Sequence, residues 1–182
     1  AIASGKGGTG KTTVAVNLAR AMRTRVQLLD CDVEAPNAHL FLAGEVRRQE
    51  TAAIRVPQVD QSLCDACGEC GRFCEYHAIV SFGAKPLVFP ELCHGCGGCA
   101  AVCHTRAISE IGWRIGVVET MHAGNITLIQ GRLDVGAAMA PPLIRAVKSR
   151  LQDGTPAILD APPGTSCPVI AAIRGADYVV LV

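Results

Sequence analysis

The sequence predicts an α/β fold with a mostly parallel sheet, into which a smaller α+β domain is inserted. Short apolar segments alternate with amphipathic ones at both ends of the 182-residue chain, as is typical of βα units. The middle of the chain is instead rich in Cys and Gly. Because α/β patterning flanks this middle segment on both sides, we predict a discontinuous domain of residues 1–53 and 112–182 and an inserted domain of residues 54–111.

The periodicity of apolar residues places the individual elements. We predict strands at residues 1–3, 26–30, 54–57, 78–82, 86–89, 107–109, 115–118, 126–129, 157–160 and 178–182. Helices are predicted at residues 12–22, 142–151 and 169–173, with a short turn or helix at residues 36–42. Val14, Val16, Leu18, Ala19 and Met22 are expected to form the apolar surface of the first helix. The strand at residues 178–182 is expected to be buried.

Composition excludes some classes of function. Hydrophobic residues make up 49% of the chain and the formal net charge is +1. No dense run of Lys and Arg offers a stripe for phosphates, so we expect no nucleic-acid partner. No apolar run reaches the roughly 20 residues of a membrane span. The cysteine spacing described below is typical of metal binding in a reducing compartment, so we expect a cytoplasmic protein.

Both ends of the sequence are expected to be incomplete. The chain starts at Ala1 rather than Met, only four residues before Gly5. It ends within an apolar segment that is predicted to be a strand. We therefore interpret the sequence as a fragment of a longer protein.

Residues 5–12 form the motif G-x-x-x-x-G-K-T, which is typical of a nucleotide phosphate loop. Its glycines let backbone amides approach anionic oxygens, Lys11 supplies charge to the β- and γ-phosphates, and the Thr12 hydroxyl can bind Mg2+. The residues expected to bind nucleotide are Gly5, Lys6, Gly7, Gly8, Thr9, Gly10, Lys11, Thr12 and Thr13.

Acidic residues follow two of the predicted strands. Asp30 and Asp32 come at the end of residues 26–30, and Asp160 ends residues 157–160. Carboxylates at strand ends opposite a phosphate loop are what metal-assisted phosphoryl transfer requires. For Asp30, a structural hydrogen-bonding role and a direct role remain equally open.

The segment K-G-G-T-G-K-T-T resembles the phosphate loop of the MinD/Mrp/ParA family, to which the nitrogenase iron protein is related. The resemblance implies that Lys6 reaches across an ATP-dependent homodimer to the partner's nucleotide. Residues 29–37 resemble the family's switch I, with Asp32 positioning water. Residues 159–164 resemble switch II, with Asp160 holding Mg2+ through water and Gly164 sensing the γ-phosphate.

This resemblance covers residues 1–50 and about 112–182. By this resemblance we expect the sequence to lack the C-terminal third of the family's fold, the part that usually recognises the base. ATP is therefore expected over GTP from the resemblance alone.

Eight of the ten cysteines lie in two copies of C-x2-C-x2-C-x3-C at a 29-residue offset. We call residues 64–74 the first cysteine run and residues 93–103 the second. This spacing predicts two [4Fe–4S] clusters, in which the fourth Cys of each run begins a helix and ligates the other cluster. One cluster is then expected on Cys64, Cys67, Cys70 and Cys103, and the other on Cys93, Cys96, Cys99 and Cys74.

Residues 54–111 resemble bacterial two-[4Fe–4S] ferredoxins. The family usually has Pro after each fourth Cys, whereas Glu75 and His104 follow here, which could alter hydrogen bonding near a sulfur. Zinc on four thiolates remains an alternative.

The remaining cysteines and the nearby histidines are expected to have structural roles. Cys31 and Cys167 are interpreted as core residues, because free Cys is commonly buried. His77, His94 and His104 are interpreted as solvated residues or neighbours of the clusters rather than iron ligands.

The two motifs together indicate an ATPase, with slow and partner-stimulated hydrolysis, that contains two [4Fe–4S] clusters. In the leading hypothesis, nucleotide-driven dimerisation controls electron transfer to a redox partner. The alternative is a carrier or scaffold that delivers clusters to an apo iron–sulfur acceptor protein. A third hypothesis is a positioning ATPase whose inserted domain only docks a partner.

Overall fold

The computed structural model describes residues 1–83 and 85–182. The chain divides into two compact units. The first unit comprises Ala1–Ala52, Gly116–Asp134 and Ala140–Val182, and the second comprises Ala53–Ile115 and Val135–Met139. The segment Val135–Met139 was not part of the predicted inserted domain.

The described residues form the following elements in chain order. They are β1 (Ile2–Ala3), α1 (Lys11–Ala21), β2 (Val26–Asp30), a 3-10 turn (Ala38–Phe41), β3 (Glu45–Val59), α2 (Glu69–Phe73), β4 (Ile79–Val80), β5 (Leu87–Val88), a 3-10 turn (Pro90–Leu92), α3 (Gly98–Ala101), β6 (Ile108–Ala123), β7 (Ile126–Leu133), α4 (Pro141–Lys148), β8 (Ala157–Asp160), α5 (Cys167–Ile173) and β9 (Val180–Leu181).

The main sheet has the strand order β3-β6-β7-β2-β8-β1-β9. Strands β7, β2, β8, β1 and β9 pair in parallel, whereas β6 pairs antiparallel with β7. The predicted α/β fold with a mostly parallel sheet is confirmed. Because parallel strands end at the same edge, Asp30 at the end of β2 lies in register with Asp160 at the end of β8.

Helix α1 packs against β1, β2 and β8. Its buried apolar residues are Ala15, Val16 and Ala19. Val14 and Leu18 were predicted to lie on this surface, but they are 38% and 47% exposed. The small side chains of Ala15 and Ala19 let the helix lie close to the sheet, so the buried stripe is rotated away from the two larger residues.

Several predicted boundaries were wrong. The strands predicted at residues 54–57, 107–109 and 115–118 are parts of the long strands β3 and β6. Residues 109–114 of β6 are exposed, so this part of the strand forms no buried apolar segment, although Ile111 and Trp113 alternate with polar or small residues. Strand β9 was predicted to be buried, yet Leu181 is 79% exposed because β9 lies at the edge of the sheet.

The second unit contains the two cysteine runs. Strands β4 and β5 form an antiparallel pair, and the short helices α2 and α3 pack against each other. Each helix was predicted to begin at the fourth Cys of its run. Instead α2 ends at Phe73, immediately before Cys74, and α3 ends at Ala101, before Cys103.

The described part of the chain contains no helix with the length and apolar character of a membrane span.

Candidate functional site

The phosphate loop connects β1 to α1 and has the backbone freedom that its motif requires. Gly8 and Gly10 have φ values of 75° and 93°, a conformation that L-residues with side chains rarely adopt. A Cβ atom built at Gly5, Gly7, Gly8 or Gly10 would meet no atom within 4 Å. The loop is therefore open on the side where its glycines leave room for a ligand.

Lys11 and Ser4 form a hydrogen-bonded pair beneath the loop. Lys11 is only 7% exposed, and its Nζ donates to Ser4 Oγ at 3.0 Å. Ser4 Oγ in turn donates to the carbonyl of Lys6 at 2.7 Å. Ser4 was not predicted as a site residue, because it lies just before the motif of residues 5–12. Lys6 itself is exposed.

Asp30 organises the segment that follows β2. It is fully buried, and its carboxylate accepts hydrogen bonds from the backbone amides of Asp32, Asn37 and Ala38 at 3.1, 2.9 and 3.0 Å. Burial raises the pKa of Asp30, and the three amides oppose the rise. Both carboxylate oxygens are thus occupied by backbone donors, and of the two roles left open for Asp30 the geometry supports the structural one.

The pKa values of Asp32 and Asp160 are both raised, and Asp32 lies close enough to Asp160 to contribute to the second shift. Burial raises the pKa of Asp32 to about 6, Asp30 adds to the rise, and Lys11 opposes it. Burial also raises the pKa of Asp160 to about 7, and the Thr12 hydroxyl opposes that rise. The charges of Asp30 and Asp32 raise the pKa of Asp160 further, whereas Lys11 lowers it.

The Asp160 carboxylate fits a magnesium site. It is 1% exposed, and neither of its oxygens has a partner in hydrogen-bond geometry among the described residues. An unpaired buried carboxylate is costly unless a cation compensates it. Carboxylate and hydroxyl oxygens are the ligands that Mg2+ prefers, and Thr12 supplies the hydroxyl nearby.

The segment after β8 is tied to the phosphate loop. The backbone amide of Gly164 donates to the carbonyl of Ser4 at 3.0 Å, and Gly164 has a φ of 101°. A cavity of about 120 Å³ lies between the segments that follow β2 and β8. Its lining includes Cys31, Asp32, Glu34, Pro162, Pro163 and Ser166. The segments that follow β2 and β8 therefore face each other across this cavity.

The two cysteines outside the runs differ. Cys31 is fully buried, as predicted. Cys167 was predicted to be a core residue but is exposed. It begins α5, whose buried residues are Val169 and Ala172, so its side chain falls outside the buried stripe.

The 29-residue sequence repeat is also a repeat of backbone conformation. Positive φ values occur in pairs at this offset: Ala66 and Gly95, Gly68 and Gly97, and His77 and Arg106. Helices α2 and α3 begin at equivalent positions of the two runs, each after a glycine with positive φ. The two halves of the second unit therefore fold alike.

The two halves also exchange equivalent hydrogen bonds. Asp60 N–H donates to the carbonyl of Ala107 at 2.7 Å, and Phe89 N–H donates to the carbonyl of Ala78 at 2.8 Å. Each bond joins the start of one half to the end of the other. Such an arrangement brings the fourth Cys of each run towards the opposite half.

Helices α2 and α3 contact each other closely at Gly98. A Cβ atom at this position would lie 2.0 Å from Cε1 of Phe73. Phe73 immediately precedes Cys74, so its packing on the second run holds Cys74 near that run.

Four cysteines from both runs line one cavity of the second unit. The cavity has a volume of about 350 Å³, and its lining includes Cys74, Cys93, Cys96 and Cys99. Burial raises the pKa of Cys99 to about 11, and the charges of Cys93, Cys96 and Cys74 also act on it. This is the set expected for one cluster, and four thiols are a ligand set that suits a [4Fe–4S] cluster or a zinc ion.

The 29-residue repeat relates this set to the other four cysteines of the two runs, which are Cys64, Cys67, Cys70 and Cys103. Burial raises the pKa of Cys70, and the nearby Cys64 and Cys67 add to the rise. Cys103 Sγ lies 3.5 Å from Thr105 Oγ1, and this contact lowers the pKa of Cys103. The residue after Cys103, His104, places its Nδ1 4.0 Å from Cys67 Sγ.

The three histidines near the runs occupy different surroundings. His94 stacks on Tyr76, with ring centroids 3.3 Å apart. His104 Nε2 lies 3.0 Å from the Asp65 carboxylate. Neither Asp65 nor Tyr76 was predicted as a site residue, because no spacing rule links either residue to a distant histidine.

We predict that Asp160→Asn changes the pH dependence of stability in the nucleotide-free, metal-free protein. The pKa of Asp160 is raised from 3.8 to about 7. The folded state therefore holds this proton more tightly, and the stability it contributes below pH 4 is lost as pH rises towards 7. Urea unfolding at pH 4 and pH 8 should show that Asp160→Asn gains roughly 1–4 kcal/mol over wild type at the higher pH. The control Asp153→Asn removes an exposed carboxylate. If Asp160→Asn changed the free energy of unfolding equally at both pH values, the raised pKa of Asp160 would be contradicted.

Comparison with known proteins supports the nucleotide site. Residues 1–160 match the CobQ/CobB/MinD/ParA nucleotide binding domain, CbiA. The uncharacterized protein MJ0578 of Methanocaldococcus jannaschii is 34% identical over 188 residues, which cover 100% of this chain and 66% of that protein. MJ0579 of the same organism is 29% identical over 196 residues, which cover 100% of this chain and 67% of that protein. The chain thus spans about two-thirds of the length of these relatives.

A shorter match concerns a protein with a described role. The iron-sulfur cluster carrier protein of Deinococcus radiodurans is 50% identical over 50 residues, which cover 25% of this chain and 14% of that protein. The match of the family domain extends over most of the chain and includes the phosphate loop and Asp160. The chain belongs to the CobQ/CobB/MinD/ParA family of nucleotide-binding domains.

Proposed function

We propose that this chain is part of an ATP-hydrolysing iron–sulfur protein in which nucleotide-driven dimerisation controls electron transfer through two [4Fe–4S] clusters. The observation that carries the proposal is the cavity lined by Cys74 together with Cys93, Cys96 and Cys99. Phosphoryl transfer at a phosphate loop uses no thiol groups. Their presence in the same chain indicates that nucleotide and redox chemistry are joined.

The nucleotide roles in this proposal follow from the family resemblance, and the geometry of the first unit supports them. Lys11 neutralises phosphate charge, and Thr12 and Asp160 would hold Mg2+, which would supply further positive charge to the transferred phosphoryl group. Asp32, held in place by Asp30, positions the attacking water. Lys6 is exposed, as a residue that reaches a partner subunit must be. Hydrolysis is slow until a partner or a second subunit completes the site.

The proposed cluster ligands are two sets of four cysteines that draw on both runs. Four protein thiolates per cluster leave no iron position open, which favours permanent clusters that carry electrons. Free thiolates require a reducing compartment. Residues 53–115, which hold both sets, form the ferredoxin-like domain in this proposal.

The chain connects the two functions directly. The segment that follows β2 leads through the 3-10 turn into β3, and β3 runs on from the first unit into the second. A nucleotide that rearranges Asp32 can therefore act on the segment that leads to the cysteines. A redox partner would then exchange electrons with the clusters in only one nucleotide state of the protein.

A carrier of iron–sulfur clusters is the second candidate. It is favoured by the similarity of one quarter of the chain to the carrier protein of Deinococcus radiodurans. A carrier releases its cluster to an apo acceptor protein, whereas an electron-transfer protein retains it. Incubation with an apo ferredoxin separates the two, because only a carrier would lose iron and sulfide when ATP is added.

We predict that Lys11→Ala abolishes nucleotide binding in the full-length protein, because the phosphates lose their main counter-ion. Lys6→Ala should leave binding to the monomer largely intact but abolish dimerisation and turnover. Calorimetry, sedimentation and phosphate release measure these three properties. Lys85→Ala, which removes an exposed lysine of the second unit, is the control. Hydrolysis by Lys6→Ala at the wild-type rate would refute the role of Lys6 across the dimer.

We predict that Cys74 serves the cluster of the second run. Cys74→Ala and Cys96→Ala should each reduce iron from about eight to about four atoms per chain. The double variant should retain about four, because both changes affect one cluster. Cys74→Ala combined with Cys67→Ala should retain almost none. Iron analysis and electron paramagnetic resonance make the measurement, and the opposite pattern in the two double variants would refute the exchange of ligands.

A further inference from the structure

Asp65, Cys67 and His104 form an exposed group at the edge of the first cysteine run. His104 Nδ1 lies 4.0 Å from Cys67 Sγ, and His104 Nε2 lies 3.0 Å from Asp65 Oδ2. Asp65 Oδ1 accepts the backbone amide of Cys67 at 3.2 Å. One ligand atom from each of the three residues lies within 4.8 Å of the others.

The hydrogen bonds determine which nitrogen of His104 is available. A carboxylate can only accept, so His104 Nε2 carries the proton that it donates to Asp65. In a neutral imidazole the other nitrogen is then an acceptor, and it faces the Cys67 sulfur. Two electron-pair donors facing each other at 4.0 Å are suited to share a cation. Metal-binding histidines commonly have this arrangement, with a carboxylate that orients the ring.

The repeat provides an internal comparison. At the 29-residue offset, the counterparts of Asp65, Cys67 and His104 are His94, Cys96 and Glu75. The histidine and the carboxylate have exchanged places, and His94 stacks on Tyr76 instead. Among the described residues, only the first-run group brings the three ligand types together. The group of Asp65, Cys67 and His104 therefore belongs to the first run alone and does not follow from the cysteine spacing, which both runs share.

We propose that Cys67 Sγ and His104 Nδ1 bind one divalent iron ion before the cluster of the first run is assembled, with Asp65 holding the imidazole. Sulfur and imidazole nitrogen suit Fe2+, Co2+ and Zn2+. On binding, the Cys67 thiol releases its proton and water completes the coordination. The inference rests on the proposed function in that Cys67 later becomes a cluster ligand. It assigns His104 and Asp65 to the loading of iron.

Metal titration of the cluster-free full chain under anaerobic reducing conditions tests the site. Co2+ is the probe, because a thiolate bound to cobalt gives a charge-transfer absorption band. His104→Gln can keep the hydrogen bond to Asp65 but lacks Nδ1, and we expect it to weaken Co2+ binding at least 10-fold. Asp65→Asn should weaken binding roughly 10- to 100-fold. The matched control His94→Gln, at the counterpart of Asp65 in the second run, should leave the affinity unchanged.

Two further measurements do not depend on the stability of the variants. In the wild-type chain, nitrogen NMR should show that Zn2+ shifts Nδ1 of His104 while Nε2 keeps its proton. During reconstitution at limiting Fe2+, His104→Gln should slow assembly several-fold without lowering the final iron content.

Unchanged Co2+ affinity in His104→Gln, or no Zn2+ effect on His104, would overturn the inference. If both clusters nevertheless assembled normally, only the metal site would be refuted and the proposed function would be unaffected. Co2+ binding that requires His104 in a chain that never assembles a cluster would support the metal site and refute the proposed function.

Discussion

The nucleotide site depends on one buried carboxylate. Asp30 accepts three backbone amides, and these bonds hold the segment that carries Asp32 beside Lys11 and Asp160. The parallel register of β2 and β8 then places Asp30 next to Asp160. Burial raises the pKa of Asp160 to about 7, and the charges of Asp30 and Asp32 raise it further, so an ionised Asp160 destabilises the fold at neutral pH without a cation. Burying charge where a metal and a polyphosphate bind is a common compromise between stability and function.

The second unit depends on a different constraint, the exchange of equivalent contacts between two similar halves. The bonds from Asp60 to Ala107 and from Phe89 to Ala78 tie the start of each half to the end of the other. The packing of Phe73 on Gly98 adds a contact between the helices. Together they explain why Cys74 lines a cavity with cysteines of the second run. The His104–Asp65 pair departs from this symmetry and gives the first run its own surroundings.

Local motifs predicted the α/β fold, the phosphate loop and the acidic strand ends, because each depends on residues that are close in sequence. The long strands β3 and β6 could not be predicted in this way, since both continue through exposed segments that contain no buried apolar run. The prediction that Cys167 is a core residue was wrong, because residue type does not tell which side of a short helix faces the core. The roles of Asp30 and Asp65 depend on partners brought near by turns, which no spacing rule encodes. The spacing rule did pair Cys74 with the second run, although the helix expected to begin at Cys74 ends just before it.

Coupling between the two units is the central claim, and the reduction potentials of the clusters test it most directly. They should be measured in the full-length protein without nucleotide, with ADP, and with ATP trapped by Asp32→Ala. If nucleotide controls electron transfer, at least one potential should shift by on the order of tens of millivolts in the trapped state, since burial and hydrogen bonding set cluster potentials. Identical potentials in all three states would contradict the account and would favour delivery of clusters over controlled electron transfer.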